Sequence, residues 1–208
     1  MTDETEARPP GTPEGRGHPG GDPGEQSPLQ ARAEFIKNRS WDSVVGFNRG
    51  ACARGGTEHG LNPETGSACA AEWEKARGEE VTFLEFLDFL KEFHRRAPFL
   101  FFNGNTFADV ARQVSAAIFA ELPPLRRREM LSAIAHYVAG VLDRDAMIAA
   151  VDSLWRRARM SAGDRVRTLR GSMRGVIVRV LDDGRLAWRP DGQAGELVAL
   201  PESLRPDL

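Results

Sequence analysis

The 208-residue chain is short of several residue types, and each shortage excludes something. It holds two cysteines, Cys52 and Cys69, too few for a disulfide scaffold. Lysine is nearly missing: Lys37, Lys75 and Lys91 are the only three among 28 basic residues, so arginine carries almost all the positive charge. The planar guanidinium suits phosphate contact and stacking, although a GC-rich genome produces the same bias with no functional cause. No apolar run approaches the ~20 residues needed to span a bilayer, and the polar, proline-rich start has no apolar signal core. The expectation is a cytoplasmic protein with no membrane partner. Neither charge dominates: 28 basic residues stand against 30 acidic ones, for a net charge of −2, which argues against a generally cationic nucleic-acid coat.

Patterns for catalysis are missing too. Cys52, His59 and Cys69 are widely spaced, without a paired C-x2-C clip or an obvious fourth ligand, so buried thiols are a plainer reading than a metal centre. No glycine loop precedes a Lys-Ser or Lys-Thr pair, and "FNRGACARGG" lacks the flanking strand of a dinucleotide fingerprint. No Gly-x-Ser-x-Gly elbow occurs. His94 and His136 stand in helical text beside aromatic or apolar neighbours, where a packed histidine is commoner than a general base. No catalytic residue and no cofactor is assigned, and the chain reads more readily as a non-enzyme.

What is present divides the chain. Residues 1–27 are dense in Gly, Pro and Glu and almost free of apolar side chains, the composition of a disordered tail. Residues 28–80 read as a glycine-rich helical hairpin: helical text from Pro28 to about Gly55, a loop through Pro63, then a short helix to Ala76 around Trp73. Residues 81–161 read as a four-helix body. Thr82 and Glu85 form a capping box ahead of Phe83, Phe86, Leu87, Leu90 and Phe93, and Thr106 with Asp109 repeats that spacing. Pro123-Pro124 opens a third helix through Leu131, Ile134, Val138 and Val141, and Asp143 or Asp145 starts a fourth that Gly163 stops. From residue 162 the apolar period drops from 3.6 to 2, with a tight turn at Asp182-Asp183-Gly184. Four or five short strands over about 45 residues suit a small bent barrel. The expected fold class is α+β.

Two stretches resemble known families. Between about 40 and 80, Arg49-Gly50, Ala53, Gly55-Gly56, Asn62-Pro63, Gly66-Ser67, Glu72-Trp73 and Arg77-Gly78 follow one another in an order that resembles the ribosome modulation factor family and its short plasmid-borne relatives. That resemblance implies a helical hairpin with close helix approach at its glycines, Trp73 packed between the helices, and association with ribosomal particles. The plasmid-borne relatives have been proposed to modify fluoroquinolones, which implies a small nucleotide-dependent enzyme as the rival reading. From Gly163, "GDRVRTLRGSMRGVIVRVLDDGRLAWRP" resembles the KOW type of SH3-like barrel: Gly-Asp-x-Val-Arg, a turn at Gly171, and Gly175 bending a Val-rich strand. KOW-like modules contact RNA or protein.

The charge distribution points the same way. Residues 156–208 carry 11 basic and 7 acidic side chains, and the span 156–179 has eight arginines against Asp164 alone. Arg165, Arg167, Arg170, Arg174 and Arg179, with Trp188 for stacking, make a candidate RNA-binding face. A solvated face paired with the acidic segment 182–207 is the alternative. Arg126, Arg127 and Arg128 fall in the first turn of a helix, where the macrodipole disfavours cations, so they mark either a partner site or a charge relieved by Glu121 and Glu129. Phe99, Phe101 and Phe102 belong to "APFLFFNGNTF", a buried crossing or, if exposed, a protein-binding patch. The expectation is an RNA- or ribosome-associated adaptor whose partners are rRNA, ribosomal particles or another protein. A scaffold acting through the helical body is a further alternative.

Overall fold

The computed structural model describes residues 27–122 and 124–207. Residues 1–26, where the tail is expected, lie outside this range, as do Pro123 and Leu208. Among the described residues six helices are found: α1 (Trp41–Arg54), α2 (Gly66–Ala76), α3 (Phe83–Arg96), α4 (Asn103–Ile118), α5 (Pro124–Val138) and α6 (Arg144–Ala158). None is long and apolar enough to cross a membrane.

Caps fix several helix starts. At α3 the Thr82 hydroxyl accepts from the Glu85 N–H at 3.1 Å, and the Glu85 carboxylate accepts from the Thr82 N–H at 2.7 Å. The reciprocal pair satisfies two N–H groups that the helix leaves open. Those bonds from Thr82 hold the Glu85 carboxyl below the usual range. All five side chains expected inward on α3 are buried. The Asp143 carboxylate caps α6 by accepting from Ala146 N–H at 2.7 Å.

Elsewhere the local text misleads. Residues 28–40 are not helical: Pro28–Gln30 form a 3-10 turn, and β1 (Arg32–Ala33) pairs antiparallel with β2 (Val81–Thr82). Leu29, Phe35 and Ile36 instead serve the core, Phe35 stacking on Phe86 at 5.3 Å. Thr106 does not open α4, which begins at Asn103. Its hydroxyl donates back to Phe102 O at 2.8 Å and it is fully buried inside the helix. Val141 lies past the end of α5 and is 75% exposed.

The sequence separates 28–80 from 81–161, but burial joins them. One core runs from Leu29 to Val151 and includes Trp41, Cys69 and Trp73 beside Phe83, Phe93 and Phe107. Trp73 lies at its centre, with its ring N–H donating to Arg39 O at 2.8 Å.

The C-terminal strands are β3 (Arg165–Thr168), β4 (Arg174–Val180), β5 (Leu186–Pro190), β6 (Leu197–Ala199) and β7 (Leu204–Pro206), with a 3-10 turn at Pro201–Ser203. They form an antiparallel sheet in the order β6-β5-β4-β3-β7. The sheet is open, with β6 and β7 as its edges, so a closed barrel is not seen. A second core of Met160, Val166, Ile177, Leu186, Trp188 and Leu204 lies under it. Arg126, 5% exposed, ties the two parts together, reaching Glu129 at 3.0 Å and Glu202 at 2.7 Å.

Candidate functional site

Period-2 alternation places Arg165, Arg167 and Arg174 away from the second core, since Val166, Gly175 and Ile177 take the buried positions, and a register shift after Ile177 turns Arg179 outward too. Carboxylates of the same module meet most of these arginines. Arg165 pairs with Asp191 at 2.6 Å, Arg179 with Glu196 at 2.8 Å, and Arg174 and Arg167 share Asp207 at 3.5 and 3.7 Å. Arg170 is exposed at the Gly171 turn, with no carboxylate in reach among the described residues. Trp188 is 2% exposed and belongs to the core, so the expected stacking role is corrected: its rings are already covered by protein. The anticipated five-arginine face is therefore largely a set of internal ion pairs.

Open positive charge collects one step away. A cleft of about 340 Å3 lies between the last turn of α6 and the β3–β7 edge, lined by Arg156, Arg157, Arg167 and Arg205 with Ser153, Leu169, Leu204 and Pro206. No carboxylate is in that lining. Arg156 and Arg157 are held from their own helix: Arg156 Nε donates to Asp152 O at 3.3 Å, and Arg157 to the Ser153 hydroxyl. Both complement the negative end of the α6 dipole, and Arg157 also helps keep Glu202 ionised. Arg167 comes from β3, where its Nε is buried without a hydrogen-bond acceptor, Asp207 remaining 3.7 Å away. Arg205 comes from β7, its guanidinium lying over Gly171. Sequence reasoning found Arg156, Arg157 and Arg167 by density alone. It missed Arg205, an isolated residue whose position depends on the pairing of β7 with β3.

The other expected residues separate. Arg126 is buried and doubly paired, so it is a structural clamp and not an open partner contact. Arg127 is half-buried and donates to Ala120 O at 3.2 Å, while Arg128 is exposed. In the 97–102 segment Phe99 is buried, stacking on Trp41 at 5.5 Å, which corrects its expected partner role. Phe101 is 51% exposed, Phe102 is half-buried, and Leu61 and Leu100 are exposed with Phe101. Left-handed backbone at Ala97 (φ 47°) and Phe102 (φ 57°) brackets this segment.

Here the glycine-rich stretch finds its use. A Cβ on Gly55 would come within 2.2 Å of the Phe102 ring, one on Gly60 within 2.7 Å of Leu100, and one on Gly66 within 3.1 Å of Pro98 O. These glycines admit the 98–102 segment and not a facing helix. Asn48, fully buried, holds the arrangement: its amide donates to Phe101 O at 2.8 Å and to the Thr106 hydroxyl at 3.0 Å, while its oxygen meets His59 Nδ1 at 2.6 Å. Burial, then the nearby Arg49 charge, pushes the His59 pKa down. Cys52 and Cys69 are free, buried thiols, and no metal-holding group of His, Cys, Asp and Glu occurs among the described residues. His94 is packed, its Nδ1 2.9 Å from Val138 O, whereas His136 is exposed.

Compared with known proteins, the chain matches no family model, no curated protein and no solved structure.

Proposed function

We propose that the protein is a non-catalytic adaptor that associates with RNA or ribosomal particles, and that its anion contact is the arginine cleft between α6 and the β3–β7 edge. The observation that carries this reading is the lining itself: four guanidiniums from three elements converge on one concavity without a carboxylate among them. Such a concentration of cations is unfavourable unless an anion shares the space, and nucleic-acid phosphate is the abundant one. The reading moves the contact away from Trp188 and from the paired Arg165, Arg174 and Arg179. The strand order, with a 3-10 turn between the last two strands, supports taking the C-terminal module as SH3-like and open at one side. A ribosome modulation factor-like role for residues 40–80 is part of the same proposal.

Co-sedimentation of the full chain with ribosomal particles tests it. Wild type is expected to pellet at about 50 mM salt and to be released near 200 mM, as phosphate contacts are. An Arg156→Glu, Arg205→Glu double variant, with its helical content checked by circular dichroism, is expected to stay in the supernatant at both. Unchanged pelleting of that variant overturns the assignment of the cleft.

A second reading, a protein scaffold, is favoured by exposed Leu61, Leu100 and Phe101, beside a β-bridge between Leu61 and Phe99. Loss of a bound polypeptide in Leu100→Ser, Phe101→Ser, with ribosome pelleting intact, would favour it.

A further inference from the structure

We infer that the α6/β3–β7 cleft takes a terminal phosphate, a monoester or the end of a polyphosphate, in preference to an internal diester of a nucleic-acid strand. The inference rests on the reading of the cleft as an anion site and goes on to name the chemistry of that anion.

Three observations lead there. The first is charge. Arg156, Arg157 and Arg205 have no ion-pair carboxylate among the described residues, and Arg167 has only the distant, shared Asp207. A phosphodiester brings a single negative charge. A terminal monoester brings close to two and a pyrophosphate end brings more, so one terminal group offsets more of the cluster than one diester does. The second is donor geometry. Arg156 and Arg205 stand on opposite walls, on α6 and β7, with Arg157 and Arg167 also in the lining. Donors that converge from two walls suit a group with three free oxygens, whereas a diester offers two and continues in both directions.

The third is what lies outside. A strand tracked through the site needs cations along its path. Outside the cleft Arg165 is paired with Asp191 and Arg179 with Glu196, Arg174 shares Asp207 with Arg167, and the open Arg170 stands next to Gly171, over which Arg205 lies. Along β3 and β4 themselves, a strand leaving the cleft therefore meets arginines that already face carboxylates. Leu169, Leu204 and Pro206 give it an apolar wall against which a sugar or base attached to the phosphate can rest. About 340 Å3 is room for a nucleotide end.

Two sources share this chemistry, the 5′ end of an RNA and a free nucleotide, and a competition assay on the full chain separates them. Fluorescence anisotropy is measured with one RNA oligonucleotide in two forms, 5′-phosphorylated and 5′-hydroxyl, at fixed salt. The phosphorylated form is expected to bind about tenfold more tightly, the worth of one or two charge-assisted bonds. Pyrophosphate is expected to abolish the difference. If nucleoside monophosphate competes at equal strength with the phosphorylated oligonucleotide, the source is the free nucleotide; if it competes weakly, the source is the RNA end. Arg205→Gln is expected to remove the preference, and Arg165→Gln, whose parent is already paired with Asp191, to retain it.

Equal binding of the two oligonucleotides overturns the inference, and so does a preference that survives Arg205→Gln. Ribosome co-sedimentation that persists without any 5′-phosphate preference keeps the adaptor reading and removes this one. Pyrophosphate binding, read as thermal stabilisation that Arg205→Gln abolishes, does the reverse when no RNA or ribosome binds.

Discussion

Glycine in this chain means different things at different positions, and single substitutions separate them. Gly175 sits in β4 opposite Pro190, and a Cβ there would lie 2.1 Å from Arg189 O, a backbone atom that cannot swing aside. Gly175→Ala is expected to destabilise the C-terminal module by about 1–3 kcal/mol, the range for forced overpacking. Gly46, exposed in the middle of α1, has nothing within 4 Å of where a Cβ would stand. Gly46→Ala is expected to stabilise by about 0.5–1 kcal/mol, because alanine loses less backbone entropy in a helix. Urea midpoints read both changes, and equal signs for the two would contradict this account of the glycines. The cleft arginines follow a similar distinction. Arg165 stands in a dense arginine run and Arg205 alone, yet Asp191 occupies the first and no carboxylate among the described residues occupies the second.

At the scale of elements, caps and period decide most of what was readable. Thr82, Glu85 and Asp143 satisfy open N–H groups within three residues of themselves, so the starts of α3 and α6 are written locally. Thr82→Ala is expected to cost about 1 kcal/mol, measured as a loss in thermal or urea stability, with α3 fraying first in amide exchange. A change below a few tenths would mean that tertiary packing alone holds that end. Thr106 with Asp109 has the same spacing and fails as a cap because α4 starts three residues earlier, where the Asn103 side chain ties the Phe99 N–H and C=O at 2.9 and 2.7 Å. Residues 28–40 looked helical because Leu29, Phe35 and Ile36 are apolar, yet their contacts are to α3 and their strand partner is 49 or so residues away, beyond any local pattern. The candidate site was half legible for the same reason. Arginine density marks the region, but which guanidiniums remain open depends on where Asp191, Glu196 and Asp207 fall in register, and β7 is too short to show a period. Trp188 shows the other limit: a tryptophan in a five-residue strand signals either stacking or core, and the pairing of β5 between β4 and β6 puts it inside.

For the whole molecule the decisive contact is the one between its two cores. The first turn of α5 brings Arg126 against Glu202, on the 3-10 turn that leads into β7, and the same turn region borders the cleft through Arg157. Burial opposes the charge on Glu202, but its own backbone N–H and the Arg126 guanidinium outweigh that cost and hold its carboxyl below the usual range. The sign follows from the direction of the shift: the folded form binds a proton less readily than the unfolded one, so the stabilisation is complete above the ordinary glutamate pKa and is lost as pH falls through the depressed value. Since the Glu202 side chain is 35% exposed, solvent screening leaves about 1 kcal/mol for the clamp. Glu202→Gln is expected to lower stability by that amount at pH 7. The gap from wild type should close only at pH below the ordinary glutamate range, as wild-type Glu202 is itself protonated. Limited proteolysis across the α6–β3 connection, run at pH 7 and at stepwise lower pH, reads the same transition as a detachment of the sheet from the helices. A gap that stays constant over that range would show that Glu202 contributes through its shape and not its charge, and that the two cores are joined by packing alone.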